Sequence, residues 1–181
     1  MKSGHNYLDH SSPEAGKIAW FHDFRPHFNA SVLEPINRFV HSQEDILIGF
    51  ILMSCAIDYL AGFWWGESTE GGLGRKAYTR FIDRYFIPRK RYNAQGIYDS
   101  LRNGLVHMFT IKHSLYELTF QEPENHLTVG KHGYTILNAS NFRDDLFAAA
   151  NRYFDEVEIT PELLDKAFER FRRDGFIAWV D

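Results

Sequence analysis

Arg102 and His107, carried in the run Arg102-Asn103-Gly104-Leu105-Val106-His107, are the two side chains of this chain best suited to breaking a phosphodiester bond. Arginine brings a permanent charge and a planar fork of donors for phosphate oxygens; histidine gives or takes a proton near neutral pH. Both fall within a segment, about 93–112, that reads as a helix with Ile97, Leu101, Leu105 and Met108 along one core-facing stripe. On an α-helix the two are about 140° apart, so they are expected along the two margins of an outer face shared by Asp99, Asn103, Val106 and Thr110. Asn103 and His107, at the i, i+4 spacing, are expected to be neighbours. To meet His107, Arg102 must curl inward, or a second copy of the helix must supply the missing half of a site.

The elements that must position this pair are mostly helical. Helices are expected over 31–41, 43–62, 73–86, 141–155 and 162–173, the third stopping before Pro88 and the last opened by Thr160 as N-cap with Pro161 at the first helical position. Residues 66–74 form a connection, and 1–13 a loose polar arm without the apolar core of a secretory signal. Between 114 and 137, stretches rich in Tyr, Phe, Thr, Val and Ile alternate with turn-like Gln-Glu-Pro-Glu-Asn and Gly-Lys-His-Gly, which predicts a small antiparallel hairpin or three-stranded meander. The fold class is therefore mainly α, one domain over 1–181 with a β insertion at about 114–137.

Charge concentrates immediately upstream of the motif. Between Arg75 and Arg91 lie seven basic residues, Arg75, Lys76, Arg80, Arg84, Arg89, Lys90 and Arg91, against the single acid Asp83, in a chain of net charge −4. This stretch reads either as a surface that tracks phosphates or as a solvated helix face whose long side chains cover apolar surface. Tyr78, Phe81, Tyr85 and Phe86 interleave with the charges, where they could stack on bases, but helical spacing assigns most of them to the core.

An Arg followed by Asn, then three residues and a His near the end of a long helix, with a buried helix before it and more helices after, resembles the HEPN superfamily. Arg102, Asn103 and His107 match that motif position by position, and the resemblance covers 43–112, extending toward the two carboxy-terminal helices. It implies a bundle of four or five helices, usually paired as a homodimer whose two motifs share one composite cleft. It also implies metal-independent endoribonuclease activity, often in toxin, anti-phage or other defence settings, with a neutralising protein inhibitor or antitoxin as a further partner. In that chemistry a ribose 2′-hydroxyl attacks the adjacent phosphorus, His107 acts as general acid or base, and Arg102 stabilises the phosphorane-like charge. Asn103 would hold the imidazole or a phosphate oxygen. Asp58, on the buried helix, is a candidate for orienting Arg102 or His107; its other reading is a carboxylate paired for structural reasons. The strands over 114–137 lie outside the minimal bundle and count as an insertion.

Other constellations are weaker. The composition, 44% hydrophobic and 24% charged, is that of an ordinary globular chain. Cys55 is the only cysteine, which excludes an internal disulfide and fits a reducing, cytoplasmic setting. The apolar run 46–66 is long enough to cross a bilayer, but Asp58 sits within it and Glu44, Asp45 and Glu67 flank it; a helix buried in a bundle or a dimer is expected instead, with no membrane partner. Nine histidines show no i, i+4 pair with an acid nearby, so neither a metal site nor a cofactor is expected. Gly71-Gly72-Leu73-Gly74-Arg75-Lys76 lacks the order of a phosphate-binding loop and reads as a flexible helix entry. Two functions stay in view: an RNA-cleaving enzyme of HEPN type, and a non-catalytic helical dimerisation or nucleotide- or nucleic-acid-binding module.

Overall fold

Asp45 stops the chain from running straight into its most apolar segment. Its carboxylate accepts from the backbone N–H groups of Leu47 and Ile48, both at 3.1 Å, and so caps the helix over Ile46–Trp65. The computed structural model describes residues 13–42, 45–86, 92–111 and 115–175, and eight α-helices are numbered here in chain order. They are α1 (Pro13–Phe28), α2 (Glu34–Ser42), α3 (Ile46–Trp65), α4 (Leu73–Tyr85), α5 (Ala94–Ile97), α6 (Val106–Met108), α7 (Ala139–Ile159) and α8 (Pro161–Asp174). Two π-helical turns, Asn29–Leu33 and Tyr98–Leu105, join α1 to α2 and α5 to α6. Of the expected arm over 1–13, residues 1–12 lie outside the described residues, and Pro13 opens α1.

The bundle forms around α3. Half of its residues are buried, and α2, α4, α7, α8 and the second π turn pack against it. It is long and apolar enough to cross a membrane, yet here it serves as the central helix of the bundle. Its end is fixed by Gly66 at φ 80, where a Cβ would approach within 2.7 Å of the Lys166 side chain on α8. A sheet of aromatic rings seals α1 onto this helix. Phe24 lies 5.1 Å from Trp20, 5.0 Å from Phe63 and 5.8 Å from Phe154, ring centre to ring centre.

Helix α1 was not among the expected helices. Its buried residues Trp20, Phe21, Phe24 and Phe28 follow helical spacing, but Pro26 interrupts the pattern that would advertise it. Helix α7 extends beyond the expected 141–155 at both ends, because Asn138 caps it through Asn141 N–H at 3.1 Å. Thr160 does precede α8 with Pro161 at its first position, although its hydroxyl makes no capping bond.

The expected antiparallel hairpin or meander over 114–137 is replaced by a two-stranded parallel sheet. Strands β1 (Tyr116–Thr119) and β2 (Thr135–Asn138) pair in parallel, with Tyr116 opposite Thr135 and Thr119 opposite Asn138. Parallel strands need a crossover rather than a tight turn. The intervening chain supplies it through a 3₁₀ turn at Pro123–Asn125 and a positive φ of 63° at Leu127. The stretch expected as a middle strand, 126–130, forms no strand but keeps an isolated antiparallel bridge between Val129 and Thr135, with Leu127 N–H donating to Ile136 C=O at 2.8 Å and Gly130 N–H to Tyr134 C=O at 2.7 Å. Buried polar groups then stitch this segment to the bundle. Asn138 N–H donates to His126 Nδ1 at 3.1 Å, which leaves that nitrogen unprotonated and turns Nε2–H toward the Tyr92 hydroxyl at 2.8 Å. Tyr92 in turn donates to the Asp145 carboxylate on α7 at 2.6 Å.

Replacing Phe24 with Ala should lower stability by about 3–5 kcal/mol. Urea unfolding checks this: the midpoint should fall while the slope of free energy against urea stays constant.

Candidate functional site

The motif segment is not an uninterrupted α-helix. Asn93 caps α5 by accepting Gly96 N–H at 2.9 Å, and from Tyr98 to Leu105 the backbone widens into a π-helix, with Val106 N–H reaching back five residues to Leu101 C=O. In that geometry residues five apart stand one turn apart, as residues four apart do in an α-helix. The expected separation of about 140° between Arg102 and His107 is therefore closed, and both side chains emerge together. The same widening shifts the helical phase. Ile97, Leu101 and Leu105 stay buried as expected, but Met108 leaves their stripe and is 55% exposed. The segment ends at Phe109, in left-handed conformation at φ 51 and 76% exposed.

Arg102 bridges two groups. Its Nε donates to Asp58 Oδ2 on α3 at 3.0 Å, and its Nη1 donates to His107 Nε2. A guanidinium has no acceptor, so His107 Nε2 must accept and the ring proton belongs on Nδ1. The Arg102 and Asp58 side chains are 25% and 34% exposed, which leaves the pair neither free in water nor stripped of it. Asp58 thus lies against Arg102, and Arg102 against His107. Asn103 points elsewhere: its Nδ2 meets Asp99 Oδ1 at 3.5 Å, one i, i+4 step back along the chain, rather than His107.

Asp99 is the organiser that the sequence did not single out. It accepts from Gln95 Nε2 at 3.0 Å, from Asn103, and from Arg75 on α4, whose guanidinium also lies 5.4 Å from the Tyr98 ring centre. Burial pushes the Asp99 carboxyl up, but the Gln95 hydrogen bond, the Arg75 charge and hydrogen bond, and the Asn103 interaction outweigh it and hold the group below its ordinary value. Only its i, i+4 spacing to Gln95 and Asn103 could have marked it.

The basic stripe divides in the structure. Arg75 is tied to Asp99, and Arg84 pairs with Glu156 on α7, its Nε donating at 3.3 Å. Lys76 and Arg80 lie over the ring of Trp65. Arg89, Lys90 and Arg91 fall outside the described residues. Tyr78, Phe81, Tyr85 and Phe86 are all buried and serve the core rather than a stacking surface; Tyr78 meets Ser54 at 3.1 Å.

Beside the motif, α3 leaves a strip uncovered. Ile48, Ile51, Cys55 and Asp58 follow one helical stripe; Ile48 and its neighbour Leu47 are 38% and 40% exposed, and Cys55 is exposed as well. Partial burial of the sulfur and the nearby Asp58 charge push the Cys55 thiol up, away from a reactive thiolate. On the other flank of the strip lies an apolar cavity of about 240 Å³, walled by Val32, Pro35, Ile36, Leu52, Cys55 and Tyr59 among others. Among the described residues, no three His, Cys, Asp or Glu side chains converge as a cation site would require. Compared with known proteins, the chain matches no family model, no curated protein and no solved structure.

Two outcomes follow. Long-range proton–nitrogen NMR of the neutral ring should place the His107 proton on Nδ1, and Arg102→Ala should shift the balance toward Nε2–H; an Nε2–H ring in the unmodified protein would contradict the bond. Glu156 is held below its ordinary value by the Arg84 and Tyr85 hydrogen bonds, against burial. Its contribution is therefore present above the usual carboxylate range and lost as pH falls through the lowered folded value. The stability difference between wild type and Glu156→Gln, no more than about 1 kcal/mol for so exposed a pair, should be largest near neutrality and close below about pH 4.

Proposed function

We propose that the chain is a metal-independent endoribonuclease of HEPN type, acting as a homodimer. The observation that carries this reading is the contact of Arg102 with both Asp58 and His107 on an open face. Asp58 anchors the guanidinium through Nε, so that its remaining donors serve His107 and an incoming anion. A phosphate entering the face competes with His107 for those donors, since charged oxygens are the stronger acceptors. Moving Arg102 onto the phosphate uncovers His107 Nε2, whose lone pair then takes the ribose 2′-hydroxyl proton. The 2′-oxygen bonds to phosphorus, the bond to the 5′-oxygen breaks, and Arg102 balances the charge that builds on the phosphoryl oxygens. The 5′-oxygen leaves with a proton from a second acid, and the products are a 2′,3′-cyclic phosphate and a 5′-hydroxyl.

The second acid is the role of a partner copy. The uncovered strip of α3 and the exposed Met108 and Phe109 border the motif, and an apolar face of this kind is what a two-fold interface covers. Pairing through that strip sets two copies of Arg102 and His107 across one cleft and explains why so apolar a helix keeps one face open within its own chain. A fold of this kind acting on cellular RNA arrests growth unless a protein inhibitor holds it, which is the toxin or defence role. A non-catalytic binding module of the same fold would keep the interface and lose the dependence on the motif.

Alanine at Arg102 or His107 should lower the rate of RNA cleavage by at least about 100-fold while thermal unfolding stays near wild type. Unchanged rates in both variants would exclude this site. Ile48→Glu combined with Phe109→Asp should yield a folded monomer in analytical ultracentrifugation, and the monomer should be inactive.

A further inference from the structure

Arg75 and Arg84 of α4 are tied to carboxylates, whereas Lys76 and Arg80, one turn apart on the same helix, pair with no carboxylate among the described residues. Both converge instead on one aromatic ring: Lys76 Nζ lies 5.6 Å and Arg80 Cζ 5.8 Å from the Trp65 ring centre. Trp65 closes α3 and is partly exposed, seven residues beyond Asp58. Seven residues of α-helix advance about 10.5 Å and return to within about 20° of the starting direction, so Trp65 and Asp58 face the same way. The cluster therefore stands a short step along α3 from Asp58, the residue that holds Arg102. Cations without a carboxylate partner, grouped on a partly exposed indole, differ from a general basic face, where charges spread out and pair with acids.

We propose that Trp65, Lys76 and Arg80 form a subsite for one unpaired nucleotide of single-stranded RNA next to the cleaved linkage. The base lies against the indole and the Arg80 guanidinium, both of which stack on nucleobases, and Lys76 takes the adjoining phosphate. Duplex RNA presents its phosphates but keeps its bases stacked, and an acidic peptide has charge without a flat ring; neither uses the indole. This inference rests on the ribonuclease reading for the cleavage it flanks, but its own claim concerns binding.

The test measures affinity for a fluorescent 2′-O-methyl RNA oligonucleotide, which lacks the attacking hydroxyl, across a salt series. Trp65→Ala should weaken binding about tenfold, within the range for loss of one stacked base, while Trp65→Phe retains most of it. Lys76→Gln with Arg80→Gln should also weaken binding and lower the salt slope by about 0.7 for each phosphate no longer neutralised. If Trp65→Ala fails to fold by circular dichroism, the Phe variant and the surface pair decide the question. Wild-type affinity in the folded Trp65 and charge variants overturns the subsite, as does equal binding of duplex RNA or polyglutamate with the same dependence on these residues. Wild-type protein that binds through Trp65 but cleaves no RNA supports the subsite and removes the ribonuclease reading. Cleavage that depends on Arg102 and His107 but is indifferent to Trp65, Lys76 and Arg80 does the reverse.

Discussion

A twenty-residue helix as apolar as α3 must be covered, and the rest of the structure follows from how far the chain can cover it. Helices α2, α4, α7 and α8 and the second π turn take most of its circumference, and the aromatic cluster around Phe24 brings α1 in behind them. What remains is the strip through Ile48, Ile51 and Cys55. Asp58 is the charged residue at its edge, and its partner Arg102 comes from the segment that borders the strip. The site thus forms where the apolar core stops.

The wide turn at Tyr98–Leu105 converts that position into a constellation. An α-helix through the same residues would bury Ile97, Leu101 and Leu105 but point Arg102 and His107 in different directions. The π geometry keeps the buried anchors, aligns Arg102 with His107, and turns Met108 and Phe109 outward. A wide turn stacks and hydrogen-bonds less well than an α-helical one, and such turns recur at functional sites. Asp99 holds the outer side of this turn to α4 through Arg75, so the segment is fixed from both faces.

Much of this was legible in the residues, and the misses have definite causes. Helices α3, α4, α7 and α8 announce themselves by apolar spacing and by their breakers, Gly66, Thr160 and Pro161 among them. The pairing of Asp58 with Arg102 was within reach because a carboxylate in an apolar run needs a cation. The π turn was not, since no residue type signals an i→i+5 bond and a separation of about 140° holds only for a uniform α-helix. Pro26 hid α1. The parallel pairing of β1 and β2 was hidden by a connection whose turn residues suit a hairpin equally well. Of the basic stretch, composition could show the charge but not its commitments: Arg75 and Arg84 serve the fold, and Lys76 and Arg80 meet at Trp65.

The most direct measurement is the identity of the ends left on RNA incubated with purified protein in EDTA. Products bearing 2′,3′-cyclic phosphate and 5′-hydroxyl ends, absent when the ribose at the cleaved linkage is replaced by deoxyribose, are what attack by the 2′-hydroxyl beside Arg102 and His107 predicts. Products with 5′-phosphate ends, or cleavage that requires an added divalent ion, would contradict it.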